Sequence, residues 1–389
     1  MTTTDTTYKL AFVVSMFFEF GGMQRSLLRI ARACQARGHE VHLYTGELRG
    51  DAPKDLPLTL LNTRAWSNVA SNDRLATAFH RVINGQGYDC LVGFTKIAGL
   101  DVYYAGDPCY AARVADSKPW YYRLLPRYRG LRRQESYVFR RGTKTEILLF
   151  AHQEKDRYQQ YYATEDERFH MLPPGINRER LLQNRPDSND ALILKQELGM
   201  KHNDRMVLLV GAFFGTKGVD RAIKAMAALP AEVREETVLV VVGNDDASRY
   251  RQLAEKLHVT AHVIFAGGRE DIARFYYAAD ALIHPAYTEN TGTAILEAMV
   301  CGVPVLATAN CGFASHVEQA AAGLVCPMPF AQDTLNQQLM QLLTSKQRAD
   351  WRQNALHYVA AEDLYGLIDQ AAEVIIQCAA RHRQAGGRR

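Results

Sequence analysis

The residues best placed to do chemistry are two carboxylates, Glu289 and Glu297, in the run HPAYTENTGTAILEAMVCGVPVLAT from His284 to Thr308. Seven residues separate them. The pattern puts Glu289 in a loop after a strand and Glu297 about a turn inside the helix that follows. One carboxylate can then reach a sugar hydroxyl while the other reaches the ribose diol of the same nucleotide. Between them, Thr291, Gly292, Thr293 and Ala294 offer backbone N–H groups and the positive end of a helix dipole to a diphosphate. Reading Glu297 as an acid on a solvated helix face fits less well, because Ile295, Leu296, Ala298 and Met299 make that helix mostly apolar.

Two glycine-bearing turns add to this. In VGAFFGTKGVD (Val210–Asp220), Gly211, Gly215 and Gly218 permit close backbone approach, and Lys217 is placed as a point charge for a phosphate. The alternative is a plain solvated lysine at a helix start, where a cation is disfavoured. In EFGGMQR (Glu19–Arg25), Gly21 and Gly22 let N–H groups approach an anion where a strand turns into a helix. A tight turn with no ligand explains them equally well. Neither run is G-x-G-x-x-G, so the dinucleotide fingerprint is missing and a dehydrogenase loses support. Asn244-Asp245-Asp246 imitates a D-x-D metal motif, but its composition reads as a surface turn. No metal site and no cofactor are expected.

These residues need sheets to hold them. With 389 residues, two domains are expected. Short apolar runs alternate with helical patterns, the mark of parallel sheets with helices on both faces. Strands are expected over Leu10–Phe18, Glu40–Thr45, Asp89–Phe94 and Glu146–Phe150, with a helix over Gln24–Arg37. A second series has strands over Arg205–Ala212, Thr237–Gly243, His262–Gly267, Ala279–Pro285 and Val303–Thr308. Helices lie near Gly218–Leu229, Ser248–Leu257, Asp271–Ala278 and Thr293–Cys301. Pro173-Pro174-Gly175 and the polar stretch Asn177–Asp190 read as a linker. The fold class is α/β, two doubly wound Rossmann-like domains facing across a cleft. Their spans are 1–175 and 176–358, and a tail over 359–389 carries a long helix near Ala360–Ala380 that crosses back to the first domain.

Hydrophobic residues make up 47% and charged residues 23%, proportions of a globular chain and not of a disordered or collagenous one. No apolar run reaches the length that spans a bilayer. Lys9 with Leu10–Phe18 imitates a signal peptide without a small-residue cleavage site, so a buried first strand is expected. Seven scattered cysteines with no C-x-x-C pair suit a reducing compartment, and the expected location is the cytoplasm. The net charge of +4 is uneven. Arg113, Lys118, Arg123, Arg127, Arg129, Arg132, Arg133, Arg140, Arg141 and Lys144 face only Asp116 and Glu135, so this segment carries +8 and the remainder −4. Trp120, Tyr121, Tyr122, Tyr128, Tyr137 and Phe139 interleave with them. A basic helix with such rings suits an anionic membrane surface or a lipid-linked anionic acceptor. A plain solvated face is the alternative. Nucleic acid comes last, since no nucleic-acid module accompanies the patch.

The order of strand, ENTGT, Glu297 and GVPVLAT resembles the retaining nucleotide-sugar glycosyltransferases of family four, which have the GT-B fold. FGGMQR, VGFTKIAGLDVYYAGD (Val92–Asp107), PWYYRLLPRYR (Pro119–Arg129), RFHMLPPGI (Arg168–Ile176) and GTKGVDR (Gly215–Arg221) extend the resemblance over nearly the whole chain, toward the branch that builds the lipopolysaccharide core. That resemblance implies a UDP-hexose donor held mainly by the second domain. Glu297 would hold the ribose, Lys217 the diphosphate and Glu289 the donor sugar. The Gly267–Glu270 loop, with Arg269, would hold the base, and Gly21 and Gly22 would close on the phosphates. Asp107 and Arg180 fall at polar positions of the cleft, which makes Asp107, with Glu289 and Lys217, a catalytic candidate. The implied acceptor is an inner-core heptose of a lipid A-linked oligosaccharide, with the Arg123–Arg133 run holding the enzyme peripherally at the inner membrane.

The sequence departs from that family at several positions. Ala212 and Thr216 stand where relatives place arginines for the diphosphate, and Ser26 where many have Asp. Asn290, Thr291 and Thr293 replace smaller or apolar residues, an arrangement that could favour an N-acetylhexosamine over glucose. A UDP-sugar 2-epimerase of the same fold, a silent binding protein and a family-four transferase with another lipid-linked acceptor are the other readings.

Overall fold

The computed structural model describes residues 6–18, 22–179, 181 and 189–387. Gly21, Arg180 and residues 182–188 of the expected linker lie outside them. The chain forms two compact units, one of residues 1–173 with 366–389 and the other of residues 174–365.

The first unit is built from β1 (Lys9–Phe18), α1 (Gly22–Ala36), β2 (Glu40–Arg49), β3 (Leu58–Leu60), α2 (Asn68–Ile83), β4 (Cys90–Gly93) and β5 (Val102–Tyr104). It continues through α3 (Tyr110–Ser117), α4 (Pro126–Phe139), β6 (Glu146–Leu149), α5 (His152–Tyr162) and β7 (Phe169–Met171). Its sheet has the order β3-β2-β1-β4-β5-β6-β7 and is parallel throughout. β1 lies between β2 and β4, and its side chains are buried on both faces. That is why it reads as an unbroken apolar run and not an alternating one, with Leu10–Val13 fully buried.

The second unit opens with α6 (Asp190–Glu197), β8 (Arg205–Val210), α7 (Phe214–Lys217), α8 (Val219–Ala227), α9 (Ala231–Arg234), β9 (Thr237–Val242), α10 (Ser248–Lys256) and β10 (Val263–Gly267). It closes with α11 (Ile272–Ala278), β11 (Ala281–His284), α12 (Thr293–Val300), β12 (Val305–Thr308), α13 (Ala314–Gln319), β13 (Gly323–Cys326), α14 (Gln332–Thr344) and α15 (Arg348–Ala361). The parallel sheet has the order β10-β9-β8-β11-β12-β13. Its core joins Val207, Leu209 and Val241 of the sheet to Ile223 and Met226 of α8 and Leu335 and Leu339 of α14. In each sheet the chain winds outward from the middle in both directions. That creates one switch point between β1 and β4 and another between β8 and β11.

The long helix expected near 360–380 begins seven residues later, after a break. α15 ends at Ala361, and α16 (Leu367–Gln384) belongs to the first unit. The break is built by Asp363, whose Oδ1 accepts from the Tyr365 N–H at 3.0 Å, and by fully buried Leu364, whose carbonyl accepts from the Ile176 N–H. α16 lays Leu367, Ala371, Ala372, Ile375 and Ala379 into the first unit's interior. Arg37 pairs with Asp369 at 2.6 Å, and the Arg383 guanidinium, near the helix end, pairs with buried Asp89. All seven cysteines are buried, and none of them is in a disulfide.

Candidate active site

β8 and β11 are direct neighbours, with Ala281 opposite Val207 and Leu282 opposite Leu208. The loops leaving their carboxyl ends therefore flank the switch point, where ligands of such sheets bind. The loop after β8 bends sharply, with Phe213 at φ 60° in the left-handed region and Gly218 at φ 74°. A Cβ on Gly218 would lie 2.1 Å from the Pro285 carbonyl, so only glycine lets the two loops come this close. Two backbone N–H groups fasten the turn. Phe214 N–H donates to Asp245 Oδ2 at 2.7 Å, and Tyr287 N–H donates to the Thr216 carbonyl at 2.8 Å. The expected helix 218–229 thus has a one-turn prelude, α7. Lys217 sits at the carboxyl end of that turn, not at a helix N-terminus, because left-handed Gly218 separates α7 from α8. The dipole of α7 favours a cation there.

The Lys217 ammonium is ion-paired with Glu289, which leaves the loop after β11. Its partner side chain is 13% exposed, and His284 Nε2 lies 3.5 Å from the same carboxylate oxygen. Burial works to raise the Glu289 pKa, but His284 and Lys217 together hold it down at about 2. His284 is itself fully buried, and that burial pushes its imidazole pKa below the usual range.

The 289–292 loop is anchored to the turn after β12. Gly312 N–H donates to the Glu289 carbonyl at 3.2 Å and Phe313 N–H to the Thr291 carbonyl at 2.8 Å. Gly292, at φ 85°, starts α12. Thr293 is exposed and Ala294 buried in its first turn, where the Ile295 N–H already donates to the Gly292 carbonyl at 2.9 Å and the N–H groups of Thr293 and Ala294 have no carbonyl within the helix to bond. Glu297 is half-buried and accepts a 2.6 Å hydrogen bond from the Tyr276 hydroxyl. The Gly267–Glu270 loop sits beside the β9 loop, with Gly243 N–H donating to the Gly267 carbonyl. Arg269 is exposed there and forms a 2.7 Å ion pair with Asp271.

The structure therefore gathers Lys217, Glu289, Thr291–Ala294, Glu297 and Arg269 on the strand-end loops of one sheet. Gly22 and Asp107 belong to the first unit. Gly22 opens α1 and is exposed. Asp107 follows β5 and lines a pocket of about 280 Å³ with Thr95, Lys96, Tyr110, Arg113 and Gln134. His284, Tyr276 and Asp245 are site residues that sequence reasoning missed. Asp245 carried a signal in the Asn244–Asp246 turn, but its work is to fasten α7. Among the described residues, no cluster of three or more His, Cys, Asp or Glu is arranged to hold a metal.

The basic segment differs from the single aromatic-studded helix expected. A 3-10 turn over Trp120–Leu124 precedes α4, and of the six rings only Trp120 and Tyr121 are exposed. Tyr128 and Phe139 are buried, and Phe139 stacks on Tyr158. Glu135 does not oppose the surface charge at all. It is buried, pairs with Lys96 at 2.6 Å, and accepts from the N–H groups of Tyr110 and Ala111 and from the Tyr162 hydroxyl. Its burial works to raise its pKa, yet Lys96 and these donors keep it below the usual range. Arg123, Arg127, Arg129, Arg132 and Arg133 are all exposed, and Arg133 is paired with Asp73. No helix among the described residues is long and apolar enough to cross a membrane.

Two doubly wound units, each with a switch point at its strand ends, are the architecture of the GT-B glycosyltransferases. Residues 190–358 match the family model for glycosyl transferases group 1, and residues 20–180 match Glycosyltransferase Family 4. The chain belongs to this family of glycosyltransferases, and the fold and enzyme class expected from the resemblance are borne out. It is 41% identical over 368 residues to the lipopolysaccharide glucosyltransferase WaaG of Escherichia coli (strain K12), a match covering 94% of this chain and 98% of that protein. The crystal structure of WaaG, a glycosyltransferase involved in lipopolysaccharide biosynthesis, superimposes with a TM-score of 0.88 at 41% identity, covering 94% and 99% of the two chains. Anabaena HepE in complex with UDP and glucose gives a TM-score of 0.71 at 19% identity, covering 95% and 100%, a likeness of fold alone.

Proposed function

We propose that this glycosyltransferase moves a hexose, glucose or an N-acetylhexosamine, from a UDP-sugar to an inner-core heptose of lipopolysaccharide, with retention at the anomeric carbon. The observation that carries this reading is the Lys217–Glu289 pair at the carboxyl ends of β8 and β11. A diphosphate competes with Glu289 for the ammonium, and a Glu289 released in this way accepts hydrogen bonds from sugar hydroxyls. The first-turn N–H groups of α12 add donors for the growing charge on UDP. Glu297, held by Tyr276, faces the ribose diol, and the loop carrying Arg269 takes the base.

In the reaction, the acceptor hydroxyl attacks the anomeric carbon from the face that the diphosphate leaves. The bond from that carbon to the phosphate oxygen breaks, its electron pair stays with UDP, and the hydroxyl proton passes to that oxygen. Neither Glu289 nor Glu297 needs to become a nucleophile, unlike a glycosidase pair. Lys217 and helix-end N–H groups supply the charge stabilisation, so this reading calls for no metal and no cofactor. The acceptor side falls to the first unit. The pocket of Asp107, Lys96, Arg113 and Gln134 offers the mixed donors and acceptors that a polyhydroxylated, phosphorylated sugar requires. The exposed Arg123–Arg133 run with Trp120 and Tyr121 holds the enzyme peripherally at the cytoplasmic face of the inner membrane, where such an acceptor is presented. WaaG is named for lipopolysaccharide glucose transfer, which supports both the acceptor and the donor class.

The test is to mix UDP-glucose, UDP-N-acetylglucosamine and UDP-N-acetylgalactosamine with the enzyme and lipopolysaccharide from a core-truncated strain. Transfer to the acceptor is expected. An epimerised UDP-sugar, or no conversion with any donor, would overturn the reading. A strict preference for glucose would remove the N-acetylhexosamine option that Asn290, Thr291 and Thr293 suggest.

A further inference from the structure

Trp66 is 92% exposed, the most exposed large apolar side chain among the described residues. Its loop is nevertheless fastened. Ser67 caps α2 by accepting from the Ala70 N–H, Ser71 Oγ donates to the Thr63 carbonyl at 3.0 Å, and Arg74 donates to the Arg64 carbonyl. One exposed ring is ordinary, but a ring on a fixed loop that joins other exposed rings and leucines makes an apolar patch, and such patches mark interaction sites.

Its position places it in such a patch. α2 and α4 lie side by side. Val69 packs against Gly130, where a Cβ would lie 2.6 Å from Val69 Cγ1, and Gln134 Nε2 donates to the Val69 carbonyl at 2.9 Å. Farther along, Arg133 pairs with Asp73. The helices therefore run in the same direction, and the loop that carries Trp66 enters α2 at the end where α4 also begins. Exposed Leu124 and Leu125 precede that helix, with Trp120 and Tyr121 beyond them. Arg64, Arg123, Arg127 and Arg129 are exposed around these tips.

We propose that Trp66 is a second membrane anchor, contributed by the β3–α2 loop, which inserts beside the Trp120–Leu125 turn into the headgroup layer of an anionic bilayer. The inference rests on the membrane-surface reading above and extends it to a segment far from the basic run in sequence. The interleaving of rings and leucines with arginines favours a bilayer over a protein partner. A headgroup layer accommodates indole rings and cations at one depth, and a surplus of basic over acidic side chains suits anionic lipid.

The chain has three tryptophans, and Trp351 is buried. The experiment uses the full chain with vesicles of phosphatidylethanolamine and phosphatidylglycerol, brominated near the top of the acyl chains. W120F/W351F leaves Trp66 as sole emitter, and W66F/W351F leaves Trp120. Quenching of both emitters is expected, and W66A should partition about tenfold more weakly while binding UDP normally. Quenching of Trp120 without Trp66 would overturn the anchor and leave the membrane reading intact. If neither is quenched and the protein does not sediment with vesicles, both readings fall. If Trp66 responds only when the lipid-linked acceptor is added, the ring belongs to acceptor binding and the anchor is refuted.

Discussion

Lys217 and Glu289 neutralise each other across two neighbouring strand ends, so the cation proposed for the diphosphate and the carboxylate proposed for the sugar are held by one contact. Lys217→Ala removes the diphosphate's ammonium and strands a buried carboxylate. UDP affinity measured by calorimetry is expected to fall about 10- to 100-fold, the worth of one charge-assisted hydrogen bond. The melting temperature should fall too. K217A/E289Q should recover the melting temperature but not sugar transfer, which separates the structural role from the chemical one.

The pH dependence of the pair has a defined sign. The Glu289 pKa, about 2 in the folded chain, lies below its ordinary 4.5. The stabilisation is therefore fully present above about pH 4.5 and is lost as pH falls toward 2. Acid titration followed by circular dichroism should show a smaller loss between pH 4.5 and 2 for Glu289→Gln than for the unmodified protein. Equal losses would mean that the pair contributes nothing.

Gly218→Ala should damage the site without touching any reacting group. The added Cβ meets the Pro285 carbonyl, and φ 74° is costly for any residue with a Cβ. We expect a loss of roughly 1–3 kcal/mol in stability and a rise in the KM for donor as the Lys217 turn moves away from Glu289.

Charge reversal of Arg123, Arg127, Arg129 and Arg132 to Glu should release the enzyme from anionic vesicles in sedimentation assays while UDP binding is retained. Arg133 is left intact because its pair with Asp73 joins α4 to α2. Attachment of the unmodified protein should weaken as salt rises, since exposed charges are screened.

Glu135→Ala should be among the most damaging substitutions in the first unit. It removes the partner of Lys96 and the acceptor for Tyr110, Ala111 and Tyr162 at once. Breaking a buried pair on one side costs about 3–5 kcal/mol, a drop that chemical denaturation would resolve.

The sheets were legible where strands are long or central. β1, β8 and β9 are continuous apolar runs because helices cover both faces of a parallel sheet. β3, β5 and β7, of three residues each, are too short to show a period, and β13 carries Gly323 and half-buried positions that blur its pattern. The site was legible where one residue type has few uses, as in Glu289, Glu297 and the glycine turn before Lys217. His284 was hidden because a lone histidine at a strand end usually belongs to the core. Tyr276 was hidden because its partner, Glu297, is 21 residues away along the chain. The basic run was read correctly as charge but not as surface. Helical periodicity sends Tyr128, Glu135 and Phe139 inward, and a composition count does not distinguish the faces of a helix.

α16 completes the first unit with residues that lie beyond the entire second one. During synthesis, the second unit emerges as one uninterrupted stretch and can fold as soon as it leaves the ribosome. The first must wait with the α1 and β4 surfaces uncovered until residues 367–384 arrive. The half of the enzyme that is made first is therefore finished last, and a nascent chain stalled after α15 would display an apolar seam for chaperones to cover.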